Sequence, residues 1–256
     1  MGAECHVLET FLRAGHMCVT SLADYWELGT GCGPLLEWME QLWLLVVLAV
    51  LCLLALLLAL RVWLVLRQGV ECRPGRKGCV SLMVVAGSGG HTTEILRLLS
   101  SLSKSYSPTH YVLAETDKMS EDKIHLFENT RTSGVYKSTY SIHRIPRSRE
   151  VRQSWSSSFL TTLQSMLYSF PLTARLQPDL VLCNGPGTCV PACFSAFLLG
   201  VFGIKKIIII YVESICRVET LSLSGRLLYY ISDYFIVQWP QLQTKYPKSI
   251  YLGRIV

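Results

Sequence analysis

Apolar residues crowd into one stretch of this chain and are interleaved with polar ones over most of the rest. From Leu42 to Leu60 the sequence LWLLVVLAVLCLLALLLAL runs for nineteen residues without a charge. Carried past Arg61 to Leu66, it is long enough to cross a hydrocarbon core of ~30 Å, which takes about 20 helical residues. Eleven of the nineteen are leucine, and at roughly 0.3–0.6 kcal/mol each near the helix centre they strongly favour insertion. The segment 42–66 is therefore predicted to be a transmembrane anchor. Trp43 and Trp63 suit the two headgroup belts, and Arg61 can snorkel its charge toward the interface.

From residue 79 onward short β-branched runs alternate with helical periodicity. CVSLMVVAG (79–87) predicts a strand that ends in glycine. In HTTEILRLLSSLS (91–103), Ile95, Leu96, Leu98, Leu99 and Leu102 form one helical face. Further strands are predicted over 109–116, 139–145, 179–184, 206–212, 233–239 and 249–253. Helices are predicted near 119–128, over 154–176, over 188–202 and near 221–231, with a short one before the last strand. Apolar strands alternating with helices imply a parallel sheet covered on both faces. The fold class is thus α/β, a doubly wound Rossmann-like lobe over 79–256. In such sheets ligands bind outside the carboxyl ends of the strands, so the loops at 87–91, 184–188 and 213–219 are expected to share one rim.

Composition narrows the class. With 256 residues, the chain has room for one full-sized domain and a small extra element. Half the residues are hydrophobic and 16% are charged, which excludes a disordered chain or a nucleic-acid-binding tail. The net charge of +6 suits an anionic membrane surface or a phosphorylated ligand equally. Upstream of the anchor stand Glu27, Glu37 and Glu40; downstream stand Arg61, Arg67, Arg73, Arg76 and Lys77. The positive-inside rule then puts the C-terminal lobe in the cytosol. A cleaved signal peptide would need a shorter run, a small-x-small site and basic residues on the other side. Residues 1–41 read as an N-terminal extension, lumenal or arising from an alternative start, since Met39 opens MEQLWLL; 67–78 reads as a basic linker. The ten cysteines include no C-x-x-C pair and no zinc spacing, so neither a metal nor a cofactor is expected. Cys183, Cys189, Cys193 and Cys216 lie in or beside apolar runs and read as small buried hydrophobes in a reducing compartment.

Candidate chemistry sits in the rim loops. Gly87, Ser88, Gly89, Gly90 and His91 join the first strand to its helix, where glycines permit close backbone approach and the helix start offers N–H donors to an anion. The dipole contributes only about 0.3–1 kcal/mol, so other groups must help. His91 either contacts phosphate, acts as a base, or caps the helix. A dinucleotide fingerprint would need glycine where Thr92 stands, which counts against an oxidoreductase. The second loop, Asn184, Gly185, Pro186, Gly187 and Thr188, repeats the arrangement, and two glycine turns on one rim suit a large phosphorylated ligand. Glu213, at the end of a strand, either faces sugar hydroxyls and accepts a proton or pairs with Arg217. The run from His143 to Arg152 is either a solvated face or a contact for headgroups or a lipid diphosphate through Arg144, Arg147 and Arg149.

The stretches VVAGSGGHTTE, IHRIPRSRE, VLCNGPGTCVP, YVESICRVETLSLSG and YPKSIYLGRIV together closely resemble one family. It is the membrane-anchored Alg-type subunit of the endoplasmic reticulum UDP-N-acetylglucosamine transferase. The resemblance covers the anchor and about residues 80–256, and leaves 1–38 outside. It implies the acceptor-side half of a GT-B glycosyltransferase split over two chains, inactive alone. A soluble catalytic subunit would bind UDP-GlcNAc, and the acceptor would be GlcNAc-diphosphate-dolichol at the cytosolic face of the reticulum. Residues 87–91 would then hold the acceptor diphosphate, with Asn184, Gly185, Gly187 and Thr188 lining the second turn. His91 and Glu213 would be the catalytic candidates, and the C-terminal tail would help to dock the partner. Two other readings compete: a scaffold with no role in the site, and a dinucleotide-dependent oxidoreductase.

Overall fold

The computed structural model describes residues 33–67, 78–103, 105–132, 139–149, 153–185 and 187–256. Most of the expected extension 1–41 and nearly all of the expected linker 67–78 lie outside the described residues, as do positions 150–152 of the basic run. The chain divides into two units, Met1–Ala59 and Leu60–Val256.

The first unit contributes most of helix α1, Gly33–Arg67. Its portion Trp38–Arg67 is 30 residues of high hydropathy, long and apolar enough to cross a membrane. The helix begins nine residues before the predicted anchor. Its Leu and Trp side chains from Trp38 to Leu60 are exposed, as a lipid-facing helix requires.

The second unit is a seven-stranded sheet, all parallel, in the order β3-β2-β1-β4-β5-β6-β7. The strands are β1 Val80–Val85, β2 Tyr106–Ala114, β3 Tyr140–Ile145, β4 Leu180–Asn184, β5 Ile208–Val212, β6 Tyr234–Val237 and β7 Ile250–Tyr251. Between them run α2 Gly90–Ser100, α3 Lys118–Thr132, α4 Trp155–Leu176, α5 Cys189–Val201, α6 Leu223–Leu228 and α7 Pro240–Lys245. Successive strand residues point to opposite faces. Leu82 and Val84 pack with Ile95, Leu99 and Ile124 under α2 and α3. Met83 and Val85 pack with Cys193, Ala196 and Leu199 under α5. Because both faces are covered, the central strands β1, β4 and β5 are apolar at nearly every position, whereas the edge strand β3 carries Ser141, His143 and Arg144.

Several boundaries differ from expectation, among them those of β2 and α6. β2 starts at Tyr106, before Pro108, and two residue steps along β1 (Val80 to Leu82) match three along β2 (Tyr106 to Thr109). Pro108 has no N–H for the ladder, so the register slips there. Helix α6 is six residues long, shorter than the predicted 221–231.

The last two turns of α1 belong to the second unit and pack onto the end of α5. Val65 is 2% exposed and lies against Gly200, where an added Cβ would meet it at 3.4 Å. Arg61 Nε donates to Val201 O at 3.0 Å and Nη2 to Gly200 O at 3.2 Å. Rather than reaching for headgroups, the guanidinium caps the carbonyl end of α5, where the helix dipole places partial negative charge. Arg61→Ala is expected to lower the lobe's stability by about 1 kcal/mol, read as a lower melting midpoint of the detergent-solubilised chain. An unchanged midpoint would mean that water serves those carbonyls equally well.

Helix α4 reverses the usual amphipathic order. Ser158, Ser165, Ser169 and Thr173 face inward and are buried, whereas Phe159, Leu160, Leu163 and Leu167 face outward and are exposed.

Candidate functional site

The strand order reverses between β1 and β4, so the chain leaves these neighbours in opposite directions and a crevice opens beyond their carboxyl ends. A cleft of about 340 Å³ lies there, lined by Ser88 from the first glycine turn and by Gly185, Gly187 and Thr188 from the second. Arg147 and Arg149 enter from the β3–α4 loop, and Arg217 enters from the loop after β5. The Ser148 hydroxyl lines the same cleft, is buried, and has no hydrogen-bond partner among the described residues. Three guanidinium groups around two helix starts create a positive field suited to a polyanion.

The first turn is set by its own residues. Gly89 has φ 68° and ends the loop without a side-chain cap on α2, so the first N–H groups of that helix remain available to a ligand. Thr92 is buried, and its hydroxyl donates to Gly87 O. The Ser120 hydroxyl lies 3.1 Å from the same carbonyl and donates to Asp117 Oδ2 at 2.6 Å. Thr92 Oγ1 also lies 2.7 Å from Ser120 Oγ, so it does what a third fingerprint glycine cannot: it ties the loop to α3. Lys123 Nζ also reaches Gly89 O, at 3.4 Å.

The second turn is built around the histidine of the first. Gly185 has φ 71°, and a Cβ there would lie 2.6 Å from His91 Cε1 and 2.7 Å from His91 Nδ1. Glycine is required twice over at this position, for the left-handed backbone and for the ring lying on it. His91 Nδ1 is 3.2 Å from Asn184 Oδ1, and Asn184 Nδ2 donates to Glu94 Oε2 at 2.9 Å. Glu94 Oε1 accepts from Ser214 Oγ at 3.0 Å. Neither Glu94 nor Ser214 was among the sequence candidates. The available signal was Glu94 standing three residues after His91 on α2, which places both on one helical face.

Glu213 is not at the cleft surface, in contrast to the expectation that it faces the cleft. It is fully buried, and its Oε2 accepts from Ser222 N at 3.0 Å and from Ser222 Oγ at 3.1 Å. Oε1 accepts from Ser214 N at 3.2 Å. Burial raises its pKa, while the Ser222 and Ser214 donors and the more distant attraction of Arg217 lower it. It forms no close ion pair with Arg217, the other expected arrangement. A Cβ on Gly225 would overlap Glu213 Oε2, so glycine at 225 is what lets the carboxylate approach the start of α6.

Two further expectations change. Arg144 stands away from the cleft in a bidentate pair with Glu121, Nε to Oε2 at 3.1 Å and Nη2 to Oε1 at 2.5 Å. Cys216 is exposed, whereas Cys183, Cys189 and Cys193 are buried, because Cys216 sits on the open loop beyond β5. Burial pushes the Cys183 and Cys189 thiols up, which keeps them protonated and unreactive.

Residues 82–255 match the family described as "Oligosaccharide biosynthesis protein Alg14 like". The human protein named UDP-N-acetylglucosamine transferase subunit ALG14 is 66% identical over 203 residues, 78% of this chain and 92% of that one. The Yarrowia lipolytica protein of the same name is 44% identical over 176 residues, 68% of this chain and 81% of that one. Among solved structures, an Acinetobacter baumannii MurG is similar at a TM-score of 0.49 and 15% identity, over 68% of this chain and 45% of that one. The matched stretch runs from β1 to the C-terminal tail, and on it the chain belongs to the Alg14-like family of oligosaccharide biosynthesis proteins.

Proposed function

We propose that this chain is the membrane-anchoring, acceptor-binding subunit of a transferase. The enzyme adds the second GlcNAc from UDP-GlcNAc to GlcNAc-diphosphate-dolichol on the cytosolic face of the endoplasmic reticulum. The observation that carries the reading is the arginine-lined cleft joining both glycine turns beside His91. The turns and helix starts suit the acceptor diphosphate, Arg147, Arg149 and Arg217 supply countercharge, and Ser148 offers a hydroxyl in need of a partner. In this reading His91, which lies against Gly185 of the second turn, would meet the attacking sugar, and Glu213 stiffens the rim from within. Arg144 has no part in this site.

The described residues form one doubly wound lobe, and a two-lobed transferase needs a second. A soluble subunit that binds UDP-GlcNAc would provide it, with this chain's C-terminal tail helping to dock it. The relatives are named as transferase subunits, in keeping with a shared enzyme. The apolar outward face of α4 also suits a lobe working at a bilayer, since contiguous exposed apolar surface marks a membrane or protein contact. The dinucleotide reading has no support, because buried Thr92 occupies the position of the third glycine.

The test is transfer from UDP-GlcNAc to a polyprenyl-diphosphate-GlcNAc acceptor, by the chain alone and with the soluble subunit. Product is expected only from the pair, and His91→Ala is expected to lower kcat about a hundredfold while the partner still co-purifies. Product from this chain alone would refute the half-enzyme reading. Full activity of His91→Ala would make the lobe a scaffold.

A further inference from the structure

Glu94 joins three rim segments, standing on α2 and holding the end of β4 through Asn184 and the loop after β5 through Ser214. The junction turns on Asn184, which is wholly buried. Its amide has a donor end and an acceptor end, and their assignment is not free. Asn184 Nδ2 lies 2.9 Å from Glu94 Oε2 and 3.5 Å from Val212 O. An ionised carboxylate and a backbone carbonyl only accept, so the NH2 group must face them. Oδ1 is left toward His91 Nδ1, at 3.2 Å.

An acceptor in that position is satisfied only when Nδ1 carries the proton. A neutral imidazole has one N–H, so Nε2 keeps its lone pair. Nε2 has no protein partner among the described residues, while the ring is backed by Gly185. Ser214 Oγ, donating to Glu94 Oε1 at 3.0 Å, keeps the carboxylate turned toward Asn184.

We infer that Glu94 is a positioning residue: acting through Asn184, it holds His91 as the Nδ1–H tautomer and so makes Nε2 a hydrogen-bond acceptor for a hydroxyl of the bound ligand. The identity of that ligand rests on the acceptor-binding reading above; the tautomer does not. Glu94→Gln replaces an obligate acceptor with a side chain that can offer an NH2 group. With only the longer 3.5 Å contact to Val212 O left to fix its orientation, Asn184 can then turn over and present Nδ2 to His91. The imidazole proton moves to Nε2, which becomes a donor.

The tautomer is read by 15N NMR on the full-length chain in nanodiscs, labelled at histidine, at mildly alkaline pH. His91→Gln identifies the His91 signals by their loss. The wild-type chain is expected to carry the proton on Nδ1, and Glu94→Gln to shift it toward Nε2. In the complex with the soluble subunit, kcat of Glu94→Gln should fall about 10- to 100-fold. KM for UDP-GlcNAc, bound by the partner, should change less than about twofold. Ser214→Ala, which leaves the carboxylate in place but loosens it, should lose about two- to fivefold in kcat. A wild-type proton on Nε2 would overturn the proposal without recourse to any variant. So would a Glu94→Gln chain with the tautomer and kcat of the wild type. Absence of sugar transfer by the wild-type pair would instead sink the functional reading, and the tautomer would still be decided by the spectrum.

Discussion

Alanine at Gly185 is expected to cut sugar transfer by the assembled enzyme about a hundredfold or more, the scale set by misplacing a reacting group by about 1 Å. Two physical costs coincide there. The backbone sits at φ 71°, where a Cβ costs about 1–2 kcal/mol. That Cβ would also stand 2.6 Å from His91 Cε1, so the ring must leave its place on the second turn and its contact with Asn184. Gly78→Ala is the matched control, since φ is 70° but nothing lies within 4 Å of the added Cβ. It incurs the backbone cost alone and should retain transfer activity. Equal losses from the two variants would mean that backbone strain, and not the position of His91, governs the rate.

Glu213→Ala is expected to lower stability by about 2–4 kcal/mol, because three buried donors lose their acceptor. In a domain of this size each kcal/mol lowers the melting midpoint by roughly 2–4 °C. The loss should depend on pH with a definite sign. Burial holds the folded-state pKa above the usual 4.5, so the folded chain binds the proton more tightly than the unfolded one. The stability from this group is then complete below the unfolded value and is lost as pH rises through the folded value. The difference between wild type and Glu213→Ala should accordingly be largest in acid and shrink above about 4.5. Melting curves across that range decide the matter. A Glu213→Ala chain that melts like the wild type but fails in turnover would return Glu213 to a catalytic role.

These two residues mark the limit of what local pattern conveys about the site. The glycines of both turns stand out in the sequence because a strand-to-helix turn with a left-handed residue leaves few other choices. That His91 lies on the second turn is not visible, since ninety-odd residues separate His91 from Gly185 and only the pairing of β1 with β4 brings them together. Glu94 went unnoticed for the same reason: its partners, Asn184 and Ser214, come from the end of β4 and the loop after β5. A carboxylate within an amphipathic helix otherwise looks like an ordinary solvated charge. Arg144 and Arg147 stand three residues apart in one basic run, yet one pairs with Glu121 and the other lines the cleft. The strand ends between them, and the chain changes direction.

The sequence by itself determined the long apolar helix, the alternation of strand and helix, the parallel sheet and the rim where the glycine turns gather. Each of these follows from the solvent preference of neighbouring residues or from the backbone freedom of one residue. Only the tertiary structure decided the roles of individual polar side chains. It turned Arg61 onto the end of α5, buried Glu213 under Ser222, and linked Ser214, Glu94, Asn184 and His91 in a line. A hydrogen bond is short and directional, so its partners are set by where distant segments meet, which periodicity does not encode.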